Sequence, residues 1–176
     1  MSKFSLRALF ITTLIASTST YAADNLTFKG NLVIPNCVVN GNQAIETNFN
    51  NVEIQTLVSP NTGYHWKSLT IPVNCPYTLG MPKIKLSGNK AVQANSLKTS
   101  KYDMEKLVVY FKQGTAANPG TPITLGGYNN LTGTSVTGTG NSRNVLITAG
   151  IGREGGMDLL KPGPFTASAN MEVRYE

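Results

Sequence analysis

The chain holds few of the residues that chemistry needs: one histidine, one tryptophan, two cysteines and nine acidic residues among 176. With His65 as the single imidazole, any Ser-His-Asp or Cys-His arrangement would have to be built on that one ring, so nucleophilic catalysis is not expected. Nine acids are too sparse for paired-carboxylate chemistry, and His65 stands outside any metal-ligand spacing with the cysteines. No catalytic residue, metal or cofactor is therefore assigned, and the chain does not read as an enzyme. Runs of Lys and Arg interleaved with aromatics are missing too, which argues against a nucleic-acid partner. The apolar stretch at 8–16 is far short of the ~20 residues that a spanning helix requires, so no membrane-embedded segment is predicted. Helix signals are nearly absent throughout.

What is present begins with an export signal. Lys3 and Arg7 precede the 8–16 stretch, and small residues follow up to Ala22 and Ala23. This order predicts a signal peptide over 1–22, with cleavage after Ala22 or Ala23. Its removal leaves 13 basic residues against 9 acidic ones, an ordinary surface charge. Two cysteines in an exported chain most simply form one disulfide, so Cys37 and Cys75 are expected to be joined.

Period-two and β-rich tracts recur between Gly, Asn, Pro and Ser clusters, and they predict an all-β chain. Tracts are read at 26–34, 52–58, 68–73, 83–86, 107–111, 123–125 and 144–148, with a turn at 40–42 and a glycine-rich loop over 126–140. The stretch 89–101 has no clear period. The last tract is the most regular: Phe165, Ala167, Ala169, Met171, Val173 and Tyr175 alternate with polar residues. Strands at this spacing suggest a β-sandwich.

Two motifs are set aside. Residues 150–155 match the G-x-G-x-x-G spacing, but Gly156, Pro162, Gly163 and Pro164 forbid the helix that a dinucleotide site needs, so a glycine-rich turn is predicted. Tyr64, His65 and Trp66 could form an aromatic platform for a sugar, but a lone Trp entering a strand reads as packing, and no ligand is assigned.

The opening tract is more telling. Leu26, Phe28, Gly30, Leu32 and Ile34 share one face of the predicted strand, which must either close its own sheet or join another molecule's. Gly30 weakens a strand at the centre of its apolar face, where a wall or another backbone would have to approach closely.

The segments Asp24 to Cys37, Val52 to Leu57, Cys75 to Ile84, Thr121 to Gly126 and Gly163 to Tyr175 resemble chaperone-usher pilins, in particular the tip-fibrillum subunits of P pili. Two end positions carry much of the resemblance. Tyr175 is the penultimate residue and Gly163 the fourteenth from the C-terminus, the places where these pilins have tyrosine and glycine. The resemblance implies an incomplete immunoglobulin-like sandwich of six strands lacking the seventh, over 36–176, preceded by an N-terminal donor-strand extension over 23–35. Gly163, Phe165, Ala167, Ala169, Met171, Val173 and Tyr175 would line an open groove and meet a periplasmic pilus chaperone until an outer-membrane usher mediates subunit exchange. Leu26, Phe28, Gly30, Leu32 and Ile34 would then fill the groove of a neighbouring pilin by strand addition. The implied role is a structural subunit of a cell-surface tip fibre that supports adhesion. An adaptor subunit of the same pilus is the alternative. A sugar-binding adhesin fits less well, because such adhesins carry a lectin domain before the pilin domain and lack the donor extension.

Overall fold

The computed structural model describes residues 26–176. The predicted signal peptide and residues 23–25 lie outside them. Residues 33–176 form one unit. Within it, ten strand segments pair antiparallel throughout: β1 (Val38–Val39), β2 (Thr62–Asn74), β3 (Pro82–Gly88), β4 (Ser96–Lys98), β5 (Leu107–Gly114), β6 (Pro119–Pro122), β7 (Tyr128–Asn130), β8 (Val136–Thr139), β9 (Ser142–Arg153) and β10 (Ala169–Tyr175). One helical turn, α1 (Tyr102–Glu105), interrupts them.

The first sheet runs β1-β2-β9-β5-β4, with β8 beside the start of β9 and β6 beside the end of β5. The second sheet is β10-β3-β7. Because alternate side chains face opposite sides of a strand, the inward residues of both sheets meet in one core. Ile71, Val73, Val109, Val145, Ile147 and Ile151 from the first sheet join Ile84, Leu86, Val173 and Tyr175 from the second. Each fully buried Val or Ile contributes roughly 1.5–3 kcal/mol. The expected disulfide forms between Cys37 and Cys75, with Cα atoms 4.1 Å apart.

Several tracts differ from their sequence-based assignments. Residues 123–125 are not a strand; Ile123 and Leu125 are buried in the core, and their N–H groups donate to Phe111 and Ala94 carbonyls. Residues 52–58 hold a 3-10 turn (Ile54–Thr56), with Leu57 buried after it. The 126–140 loop contains β7 and β8, and 89–101 contains β4. The glycine motif is mostly not a turn: Gly150 and Gly152 lie within β9. No strand includes residues 26–34, since an extended segment becomes a strand only by pairing and nothing pairs with it among the described residues. The expected six strands are recorded as ten segments because the chain breaks and re-enters the sheets at short pieces such as β4, β6 and β8.

A smaller cluster of Ala91, Tyr102, Val108 and Tyr110, with Trp66 packed against it, lies on the other face of the first sheet. The alternation of β5 places Leu107 and Val109 in the main core and Val108 and Tyr110 in this second one. Trp66 reaches the outer face through a β-bulge. The β2–β9 register pairs Tyr64 with Ile151 and then Lys67 with Ala149, inserting one extra residue, and His65 in the bulge has φ 49°. Gly150 and Gly152 leave the space this requires: a Cβ at Gly150 would lie 2.6 Å from the Trp66 indole, and one at Gly152 would lie 2.6 Å from the Tyr110 ring.

Candidate functional site

The last strand carries an open edge. Met81 and Glu176 exchange both backbone bonds, at 2.9 and 3.2 Å, where β10 leaves β3. In an antiparallel ladder such pairs recur at every second residue, so Asn170, Glu172 and Arg174 direct their backbone groups to β3. Met171, Val173 and Tyr175 direct theirs the other way. Among the described residues that outer edge receives one backbone bond, from the Cys37 N–H to the Val173 carbonyl at 2.7 Å.

The side chains of the same three residues face the core: Val173 and Tyr175 are buried and Met171 is half-buried. Phe165 also packs against the core and is half-buried, while Ala167 and Ala169 are exposed. The predicted strand over 165–175 is thus confined to Ala169–Tyr175. β3 ends at Gly88, the partner of Ala169, and beyond it Thr166 instead bonds Ser100: its carbonyl accepts from the Ser100 N–H at 2.8 Å. Gly163 has φ 140°, a backbone conformation that favours glycine, and it turns the chain into this segment.

Phe49 and Val52, from the segment before β2, are also half-buried against the core. Residues 43–53 form no strand. The Phe49 and Phe165 rings stand 6.2 Å apart at a 38° tilt, so aromatic side chains from two unpaired segments approach each other beside β10. Phe49 was invisible in the sequence, because it sits among Asn and Thr without a period.

The outward face of the second sheet is charge-paired. Glu172 accepts from Lys85 Nζ at 3.0 Å, Tyr128 Oη at 2.9 Å and Asn36 Nδ2 at 3.3 Å. The Lys85 and Tyr128 hydrogen bonds hold its carboxyl below the usual range. Glu176 meets Lys83 Nζ and Arg174 Nη2, each at 2.6 Å, and they lower it likewise. The Arg174 guanidinium stacks 3.7 Å from the Tyr128 ring centre. Each of these charges on the outward face is paired: Lys83 and Arg174 with Glu176, and Lys85 with Glu172. Asn36 and Cys37 tie the start of the domain to β10 through one side-chain and one backbone bond.

The predicted extension is largely exposed: Phe28 remains 86% accessible and Leu26 69%, while Ile34, nearest the domain, is 47% accessible. Among the described residues, 26–34 are thus an apolar segment outside any sheet, and the outer edge of β10 is an edge with one backbone partner. Glu154 escaped notice in the sequence because it lay inside the discarded glycine motif. Its carboxylate accepts from Val92 N–H at 3.0 Å, Gln93 N–H at 2.8 Å, Ser96 Oγ at 2.6 Å and Tyr102 Oη at 3.0 Å, which organises the aperiodic 89–96 segment.

Comparison with known proteins agrees with this geometry. The family model of fimbrial proteins matches residues 26–176. The fimbrial protein PrsE of Escherichia coli is 36% identical over 163 residues, covering 92% of this chain and 90% of that one. The fimbrial adapter PapF of Escherichia coli is 30% identical over 171 residues, covering 96% and 97%. The solved structure of the P pilus adaptor subunit PapF superposes with a TM-score of 0.53 at 26% identity, over 83% of this chain and 100% of that one. The sandwich is immunoglobulin-like, as expected, and the chain belongs to the fimbrial protein family.

Proposed function

We propose that this structural subunit of a chaperone-usher pilus, exported to the cell surface, joins its neighbours by donor-strand exchange. The observation that carries the reading is the outer edge of β10, where Met171, Val173 and Tyr175 present backbone groups with one internal partner between them. A strand added there would gain main-chain bonds, and its alternate side chains would pack against the half-buried Met171, Phe49 and Phe165. Residues 26–34 of a neighbouring copy fit the requirement: they are extended, exposed and apolar on one face, and Gly30, without a side chain, suits a point of close approach. Before assembly, a periplasmic chaperone would cover the same edge, and the usher would hand the subunit to the fibre. The contact is heterologous and does not close, so it builds an open fibre. The predicted boundaries follow from this reading: signal peptide 1–22, donor extension 23–35, pilin domain 36–176. The subunit catalyses no reaction in this scheme.

Within the fibre the reading favours a repeating subunit of the tip. The adaptor role has its own support in the likeness to the fimbrial adapter PapF. Deleting residues 24–34 tests the donor assignment: the shortened chain should still be recovered with its chaperone yet fail to enter a neighbour's groove, and unchanged fibres would refute it. Unboiled electrophoresis of surface fibres then separates the two roles. A ladder of this chain alone marks a repeating subunit, and one copy per fibre marks an adaptor.

A further inference from the structure

We propose that the outer face of the first sheet holds a saccharide subsite centred on Trp66, selective for a sugar bearing a carboxylate. The site combines an outward tryptophan with a cation beside it. Trp66, Tyr110, Lys112, Asn61, Asn95 and Pro122 line a cleft of about 290 Å³, close to the lower end, roughly 300 Å³, of small-ligand clefts.

Its construction goes beyond packing. The second cluster accounts for one side of Trp66, which nevertheless stays half-buried rather than enclosed. Placing the ring there takes a bulge in the long β2–β9 ladder and a positive φ at His65, a conformation that non-glycine residues adopt at some cost. It also takes glycine at positions 63 and 150, where a side chain would collide with the indole. Bulges of this kind re-aim side chains, and strained backbone persists where the surroundings enforce it. The result is a flat indole seated on a glycine floor. Such a surface suits the apolar C–H face of a pyranose, whose hydroxyls need polar groups around the rim.

The polar groups are in place. Lys112 Nζ lies 4.9 Å from the Trp66 ring centre and makes no salt bridge among the described residues. A ligand carboxylate would draw this ammonium off the indole and pair with it, freeing the ring for stacking. Asn61 and Asn95 stand at the rim of the cleft. A neutral sugar would leave Lys112 unmatched.

Trp66 is the chain's single tryptophan, so its emission reports on this cleft. Fibres carrying the full exported chain are titrated with D-glucuronate, D-glucose and acetate, and the signal of Trp66→Phe fibres is subtracted. D-glucuronate should change the emission saturably and at lower concentration than D-glucose, while acetate alone should reproduce neither. Lys112→Gln should weaken the glucuronate response about tenfold. The proposal fails if glucuronate gives no saturable change, if acetate reproduces the effect, or if glucose and glucuronate respond alike.

Discussion

The Cys37 N–H donates to the Val173 carbonyl across 2.7 Å, and this bond marks where the first segment of the domain stops covering the last strand. Immediately after it, β1 pairs Val38 and Val39 with Asn74 and Val73 in the other sheet. The chain therefore touches one sheet with Cys37 and the other with the next residue, leaving the remaining length of β10 uncovered on that side.

The parity of β10 gives a direct test of the open edge. Proline lacks the N–H, and it is tolerated in a strand only where that group faces outward. Met171→Pro should leave the β10–β3 ladder intact and the subunit recoverable with its chaperone, yet reduce fibre assembly. Asn170→Pro removes an N–H directed at Ser87 and should prevent accumulation of the folded subunit. Immunoblots of periplasm and of surface fibres distinguish the two phenotypes.

The disulfide closes a separation of 38 residues. On the chain-entropy account, a Cys37→Ser, Cys75→Ser pair of substitutions should lower stability by about 4 kcal/mol. Chemical denaturation followed by Trp66 emission, with and without reductant, measures the difference.

Acid sensitivity should concentrate at Glu154. Burial raises its pKa, but the Ser96, Gln93, Val92 and Tyr102 hydrogen bonds together outweigh that, and the net direction is downward from 4.5. A folded-state pKa below the unfolded one gives stability that is full above pH 4.5 and is lost as pH falls through the lower, folded value. The stability gap between wild type and Glu154→Gln should accordingly be widest near neutrality and narrow steadily on acidification below pH 4.5. Denaturation midpoints across pH 3 to 7 would show it; a gap that stays constant would place the role of Glu154 elsewhere.

Steric coupling on the outer face is also measurable. Gly150→Ala should cost about 1–3 kcal/mol, because the new Cβ meets the indole 2.6 Å away. Adding Trp66→Leu should recover most of that loss, whereas two independent sites would give additive losses.

How far the sequence could be read depended on what each segment packs against. Residues 68–73, 83–86 and 144–148 announced themselves because their apolar residues recur on a buried face, and 107–111 because it is a continuous apolar run buried on both faces. Ile123 and Leu125 also alternate and are buried, but they are held by isolated bonds to Phe111 and Ala94, so periodicity marked their burial and mistook it for a ladder. Glycines 150 and 152 were misleading in another way. They lie in a strand because the rings of Trp66 and Tyr110 occupy the space that side chains would take, a tertiary fact with no local signature. At the candidate site, the alternation of Met171, Val173 and Tyr175 was plain, whereas the opposing Phe49 and the end of the ladder at Gly88 depended on contacts between distant segments.

The position of Cys37 has a mechanical consequence. On the donor-strand reading proposed above, a pull on residues 26–34 would reach Cys37 before any other buried residue of the domain. The covalent link to Cys75, 38 positions further on, would pass that load directly to the residue after β2. Residues 43–53 lie inside the loop that the disulfide closes and would be spared it.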